Sequence, residues 1–229
     1  MDIAAAFNYI MEDEDWVKKL AIGGGLIFIA YITSFFIFGL VLFIPVVGYF
    51  IQTIKNVMEG KQRPLPEWNF GEMFSSGGTV FAIGIIYQIP MFLLFCCMTA
   101  IYIPMMISPE SANDFAGPIL IAFVCLACLM TIVSLITGIM LPAAIIRYAQ
   151  RGTLGSAFEF GAIFSFISSN IGNYVILILL SWAANFVASF GAIACFVGVF
   201  FTTFWAMLFI AHLMGQLARG GNAEMQPQY

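Results

Sequence analysis

Charge is what this sequence has least of. Only 9% of its 229 residues are charged, against 62% hydrophobic, and the formal net charge is -4. A soluble domain of this length could not cover itself with so little polar surface, so the composition points to one integral membrane domain. Basic residues number eight, the pI is near 4.8, and no basic cluster is interleaved with aromatics. That excludes nucleic acid as a partner. Histidine occurs once, at His212, too few for a zinc site or a bis-histidine haem within one chain. No glycine-rich phosphate loop, serine nucleophile elbow or metalloprotease helix is present, and no metal or cofactor is expected. The five cysteines (Cys96, Cys97, Cys125, Cys128, Cys195) all sit in apolar runs, where cysteine behaves as a small hydrophobe and builds no disulfide framework. Cys125 and Cys128 have CxxC spacing, but apolar surroundings raise a thiol's pKa, so they read as packing. The N-terminus lacks the pattern of a signal peptide.

What is there is a series of long apolar runs. Leu20 to Ile54 carries no charge; as one helix it would extend about 52 Å, far beyond a hydrocarbon core of roughly 30 Å. It must fold back, near Thr33-Ser34. Six spans are expected, at about 17–33, 36–58, 77–103, 118–146, 170–189 and 192–218. The fold class is therefore all-α integral membrane: three outward hairpins with interfacial segments on the cytoplasmic side. Residues 1–15 form an N-terminal segment, 16–221 the membrane domain and 222–229 a disordered tail. All eight Lys/Arg (Lys18, Lys19, Lys55, Lys61, Arg63, Arg147, Arg151, Arg219) fall on one side of this arrangement, which places both termini in the cytoplasm. The loop 104–117, with Glu110 and Asp114, falls on the other.

Within the N-terminal segment, Ile3, Phe7, Ile10 and Met11 share a helical face, and Asp13 or Asp15 is expected to cap the helix opening at Trp16. Gly23-Gly24-Gly25 would admit another helix closely. Pro142 should loosen the last turn of the fourth span. The longest polar interruption is Lys55–Gly78. In it Pro64 and Pro66 forbid a continuing helix, and Trp68, Phe70 and Phe74 alternate with polar residues as at a membrane boundary. It reads as a turn across the surface with re-entry at Gly77-Gly78. A weak internal repeat accompanies it: Gly60, Gly152 and Gly220 end basic, tyrosine- or histidine-bearing helices, and Phe70-Gly71 and Phe160-Gly161 open the segments after the first two.

Glu14-Asp15-Trp16-Val17-Lys18-Lys19-Leu20, Pro45-Val46-Val47-Gly48-Tyr49 and Leu65-Pro66-Glu67-Trp68, followed by Gly78, Pro142 with Tyr148, Asn170 to Tyr174, and His212 with Gly215-Gln216, resemble a prokaryotic family of multi-span membrane proteins. That family is classed as a domain of unknown function. The resemblance covers nearly the whole chain and implies a membrane fold without a known activity. The turn departs from the family at Asn69-Phe70, where further acidic residues are expected.

Two sets of residues are candidates for function. The cytoplasmic turn (Leu65, Pro66, Glu67, Trp68, Phe70) suits partner contact. Polar groups at membrane depth form the second set: Gln88, Asn170, Asn173, Ser181, Asn185 and His212, with Ser189 continuing the stripe and Thr131, Ser134 and Thr137 making a similar one. Such groups need partners in hydrocarbon and are expected to face other helices or a cavity. His212 pairs with Gln216 one turn later. Two readings stay open. In one the protein is a non-enzymatic subunit binding itself or other membrane proteins, with lipid as its solvent. In the other it is a carrier or passive pathway for a small neutral or amphipathic molecule, lined by the polar set. Lack of any acid, base or nucleophile pair argues against an intramembrane enzyme.

Overall fold

The computed structural model describes residues 1–34, 38–107, 116–193 and 196–224. The expectations attached to Glu110, Asp114, Cys195 and residues 225–229 lie outside the described residues. Most of the described chain is helical: α1 (Ile3–Asn8), α2 (Trp16–Thr33), α3 (Phe38–Met58), α4 (Phe70–Ile107), α5 (Ala116–Arg151), α6 (Phe160–Ser169), α7 (Ile171–Ser189) and α8 (Gly198–Glu224), with 3-10 turns at Leu154–Phe158 and Phe190–Ile193. Six stretches are long and apolar enough to cross a membrane: Trp16–Thr33, Gly39–Met58, Phe70–Ile103, Gly117–Arg151, Ile171–Ile193 and Gly198–Gly220. They match the six expected spans, because hydropathy summed over some twenty residues does not depend on what each helix touches. The fold is an all-α membrane fold.

One compact unit comprises Met1–Ile83 with Pro142–Tyr229. Its centre is α8, against which α1, α2, α3 and α7 all pack, while α2 also packs on α3. Each helix buries a stripe at helical spacing: Lys19, Gly23, Ile27 and Ala30 on α2, and Met73, Gly77, Val80 and Ile83 on α4. Small residues let the backbones meet. A methyl group on Gly23 or Gly24 would collide with Phe204 or Phe201 of α8, as the glycine run suggested, whereas Gly25 faces open space. Gly48 of α3 and Gly77 of α4 are in backbone-to-backbone contact, leaving no room for a side chain on either.

That crossing corrects one expectation. A non-helical connector follows α3 as expected, but no new segment begins at Gly77-Gly78; α4 is continuous from Phe70. Gly77 marks a helix crossing, not a break. The buried face of α1 is also different: Ala6, Tyr9 and Ile10 are buried, while Ile3, Phe7 and Met11 are exposed. Small Ala6 permits the close approach that the larger residues would prevent. The last helix begins at Gly198 and continues through Gly220-Gly221 to Glu224, so residues 222–224 are helical.

Two of the three repeat positions agree locally. Gly60 and Gly152 both adopt positive φ (74° and 72°), the left-handed conformation that ends a helix without a Cβ penalty. Each is followed by a connector and a helix opening at Phe-Gly, α4 at Phe70 and α6 at Phe160. Gly220, inside α8, does not repeat the pattern.

The second unit, Gly84–Leu141, comprises the remaining turns of α4 and the greater part of α5. Among its described residues only Tyr87 is buried. Phe92, Leu93, Leu120, Ile121 and Ile132 are each more than half exposed.

Candidate functional site

The basic residues gather at one end of the first unit, where the start of α2 and the ends of α3, α5 and α8 meet. Local sequence builds the turn there. At the end of α3 the Gly60 N–H donates to the Val57 carbonyl (3.0 Å) and the Lys61 N–H to the Asn56 carbonyl (3.0 Å), a Schellman closure on the positive φ of Gly60. The Asn56 side chain then holds the connector beyond Gly60, donating to the Pro64 carbonyl (2.8 Å) and accepting from Lys61 Nζ (2.8 Å). Asn56 is buried and was not among the sequence candidates; its role depends on the path of the turn.

Pro64 and Leu65 are buried, Pro66 is half-buried, and Glu67 and Phe70 are exposed. The buried Lys19 ammonium joins this turn to α2. It pairs with Asp13 Oδ2 (2.9 Å) and Glu67 Oε1 (2.8 Å) and donates to the Leu65 carbonyl (3.4 Å). Lys19 and Asp13 side chains are only 5% and 8% exposed, so each relies on the other to offset its desolvation. This overturns the capping role expected of the acids: neither Asp13 nor Asp15 caps α2 through its side chain. Asp13 Oδ1 instead accepts from the Asp15 N–H (2.9 Å). The side-chain cap that does form is Asp2 on α1, accepting from the Ala5 N–H (2.9 Å).

Trp68 does not lie free at a surface. Its ring meets Tyr49 (centroids 4.4 Å), Phe70 (5.7 Å) and Phe204 (6.1 Å). Residues from the separate stretches that carry the family resemblance thus meet in space, Tyr49 with Trp68, one residue from the Gly48–Gly77 crossing. The Tyr49 hydroxyl and the Trp68 indole N–H are both buried without a hydrogen-bond partner among the described residues.

His212 and Gln216 form the pair that their spacing suggested, and the N-terminus completes it. The Asp2 N–H donates to Gln216 Oε1 (2.7 Å), and Gln216 Nε2 donates back to the Asp2 carbonyl (2.8 Å). That reciprocal pair fixes the amide orientation, so the second Nε2 hydrogen goes to His212 Nδ1 (3.0 Å). A neutral His212 ring therefore carries its proton on Nε2. Tyr9 stacks on the ring (centroids 4.4 Å) and donates its hydroxyl hydrogen to the Leu208 carbonyl (2.7 Å). Burial pushes the Tyr9 phenol well above its ordinary pKa, keeping the hydrogen in place.

On the α5 side, Arg147 is buried and paired with Glu159 Oε2 (2.6 Å). Pro142 lies where Tyr174 of α7 inserts: its hydroxyl accepts from the Ala143 N–H (3.1 Å). Lys55 sits over the Tyr148 ring, 5.4 Å from its centroid.

The membrane-depth polar residues are not brought together as one lining. Asn170 closes the α6–α7 junction by donating to the Phe166 carbonyl (3.1 Å). Asn170 and exposed Asn173 share a cleft with Asp2 and Gln216. Ser181 donates to Leu177 O (2.7 Å), Asn185 to Ser181 O (2.8 Å) and Ser189 to Phe186 O (2.6 Å), all within α7. Thr131 and Ser134 likewise bond within α5. The interhelical partner expected for these groups is replaced by the carbonyl three or four residues back. Gln88 and Asn185 are exposed. Cys96, Cys97, Cys125 and Cys128 are free and exposed on the apolar surface, not packed inside as expected. Among the described residues no three His, Cys, Asp or Glu side chains gather as for a metal ion.

The model of a family described as protein of unknown function (DUF4013) matches residues 20–197. This chain belongs to that family. No curated protein and no solved structure matches it. Membership of DUF4013 agrees with the multi-span fold and names no activity.

Proposed function

We propose that this DUF4013 protein is a non-enzymatic integral membrane subunit, structural or partner-binding, that assembles with copies of itself or with other membrane proteins. The observation that carries the reading is the contrast in burial between spans. Half of the most apolar window is buried in α3 and in α8, but none of it in α5. The start of α2, the turn after α3 and the end of α5 are tied by ion pairs and ring contacts, and the α5 and α7 stripes bond within their own helices, which favours Gly84–Leu141 as the contact surface. Gathering of the basic residues supports placing that end, and both termini, in the cytoplasm, and the resemblance to a prokaryotic family supports a prokaryotic cell (inner) membrane. Tryptophan scanning of Leu93, Val124 and Ile132, read by native mass spectrometry from nanodiscs, tests the assembly. The expected result is a complex lost from one face while melting is unchanged; a single protomer mass for wild type and all variants would contradict it.

The cleft shared by Asn170, Asn173, Asp2 and Gln216 favours a second reading, a pathway for a small neutral molecule. Liposome flux of neutral solutes that Asn173→Leu abolishes, at unchanged melting, would establish it in place of the first.

A further inference from the structure

A second cleft, of about 280 Å³, opens at the charged end where the last turns of α3 and α8 meet, and is lined by Gly60, Lys61, Pro64, His212, Gln216 and Arg219. Arg219 is exposed, its guanidinium lies beside Gly60, and it makes no ion pair among the described residues. Its five N–H donors lie in a planar fork that matches phosphate. The Lys61 ammonium contacts Glu59 Oε2 (2.9 Å) and Asn56 Oδ1 (2.8 Å), which leaves one of its three hydrogens unused. His212 contributes a ring whose Nδ1 already accepts from Gln216, and Gln216 Oε1 already accepts from the Asp2 N–H. The side chains lining the cleft thus hold spare donors, while His212 Nδ1 is fully used as an acceptor and Gln216 Oε1 already accepts one hydrogen bond. Of the two cations, Lys61 contacts the Glu59 carboxylate, and Asp2, held on Gln216, brings a second carboxylate near the cleft.

We propose that this cleft binds a phosphate-bearing anion, with Arg219 and Lys61 as its principal ligands. The volume lies just under the ~300–1,000 Å³ that holds a drug-sized ligand, the scale of a phosphate with a short alcohol attached. The same chemistry is offered by a phospholipid headgroup and by a soluble phosphate ester. Position at the ends of two apolar helices suits the headgroup, since basic pockets between membrane helices hold anionic lipid. The inference is independent of which partner covers Gly84–Leu141.

The test uses full-length protein in two arms. In one, native mass spectrometry counts phosphatidylglycerol retained from mixed micelles; in the other, melting is followed as inorganic phosphate is added at constant ionic strength. The expected result is retention or stabilisation in wild type. Arg219→Gln and Lys61→Gln, both at exposed positions where folding should survive, are each expected to lower apparent affinity by about fivefold. Arg63→Gln, whose side chain pairs with Glu14 (2.7 Å), serves as the charge-matched control and should change nothing. Lipid retention without a phosphate response assigns the anion to a headgroup. A phosphate response without retention assigns it to a soluble ester. Binding of neither by wild type, or losses in Arg219→Gln and Lys61→Gln no larger than in Arg63→Gln, would overturn the proposal.

Discussion

Helix α5 changes character at Pro142. Before it, none of the described residues of Gly117–Leu141 is buried; after it, Ala143, Ala144, Ile146, Arg147, Tyr148 and Ala149 all are. The same contrast separates the two units. In Met1–Ile83 with Pro142–Tyr229, small residues stand at helix crossings and buried polar side chains such as Lys19, Asn56 and Arg147 find partners on other elements, although the α7 stripe bonds back to its own helix. In Gly84–Leu141, glycines face open space and hydroxyls bond back to their own helix. Both regions are apolar, and the exposed one is the more so: mean hydropathy reaches 3.0 in the α5 span against 1.4 in α2 and 1.6 in α3 and α8. The difference is whether side chains are specified by a neighbour within the chain or left to lipid and other proteins.

The largest test of that contrast is Lys19→Met. It strands Asp13 in a buried site and is expected to cost about 3–5 kcal/mol, read as a fall in melting temperature or in folded yield. Removing the exposed Arg63–Glu14 pair, whose side chains are 68% and 78% exposed, should cost about 0–1 kcal/mol. Equal effects would mean that the Lys19 cluster is not a buried tie between α2 and the turn.

Glycine substitutions make the next comparison. Gly48→Ala puts a methyl group into the Met73 backbone of α4, and Gly77→Ala collides with Ile44 and Gly48 of α3; each should lose about 1–3 kcal/mol or more. Gly84→Ala and Gly138→Ala meet nothing within 4 Å and should be neutral or slightly stabilising through helix propensity. Thermal melting in one detergent ranks all four.

Much of the fold was legible because hydropathy is local. The six spans, the turn after α3 and the His212–Gln216 pair could be read from runs and from i, i+4 spacing. What was not legible depends on distant chain. Gly77 looks like a break until Gly48 is found against it. Asp13 looks like a cap until it and Glu67 are found converging on Lys19. Ala6 looks unimportant beside Ile3 and Phe7, and its small size is what lets α1 lie close. Asn56 is an ordinary polar residue near a helix end until Pro64 returns to it. In the candidate site, Asp2 is 214 residues from Gln216, and no local pattern joins them.

Within the first unit, smaller effects compare a buried and an exposed polar side chain of α7 at single hydrogen bonds. Tyr174→Phe removes the acceptor of the Ala143 N–H and should cost about 1–3 kcal/mol. Asn185→Leu should change stability by well under about 1 kcal/mol, because the amide is exposed and bonded only to its own helix among the described residues. A loss from Asn185→Leu as large as that from Tyr174→Phe would mean that the α7 stripe faces a partner helix.

The claim that residues 84–141 present the contact surface is tested most directly by photo-crosslinking in native membranes. A benzophenone amino acid is placed at Phe92, Leu129 or Ile132, with buried Phe204 as the reference position. The expected result is a discrete protein adduct, a dimer of this chain or a complex with one other membrane protein, from at least one of the three positions and none from Phe204. Lipid adducts alone at all three positions would contradict it, leaving Gly84–Leu141 as surface for the bilayer and the subunit reading without its interface.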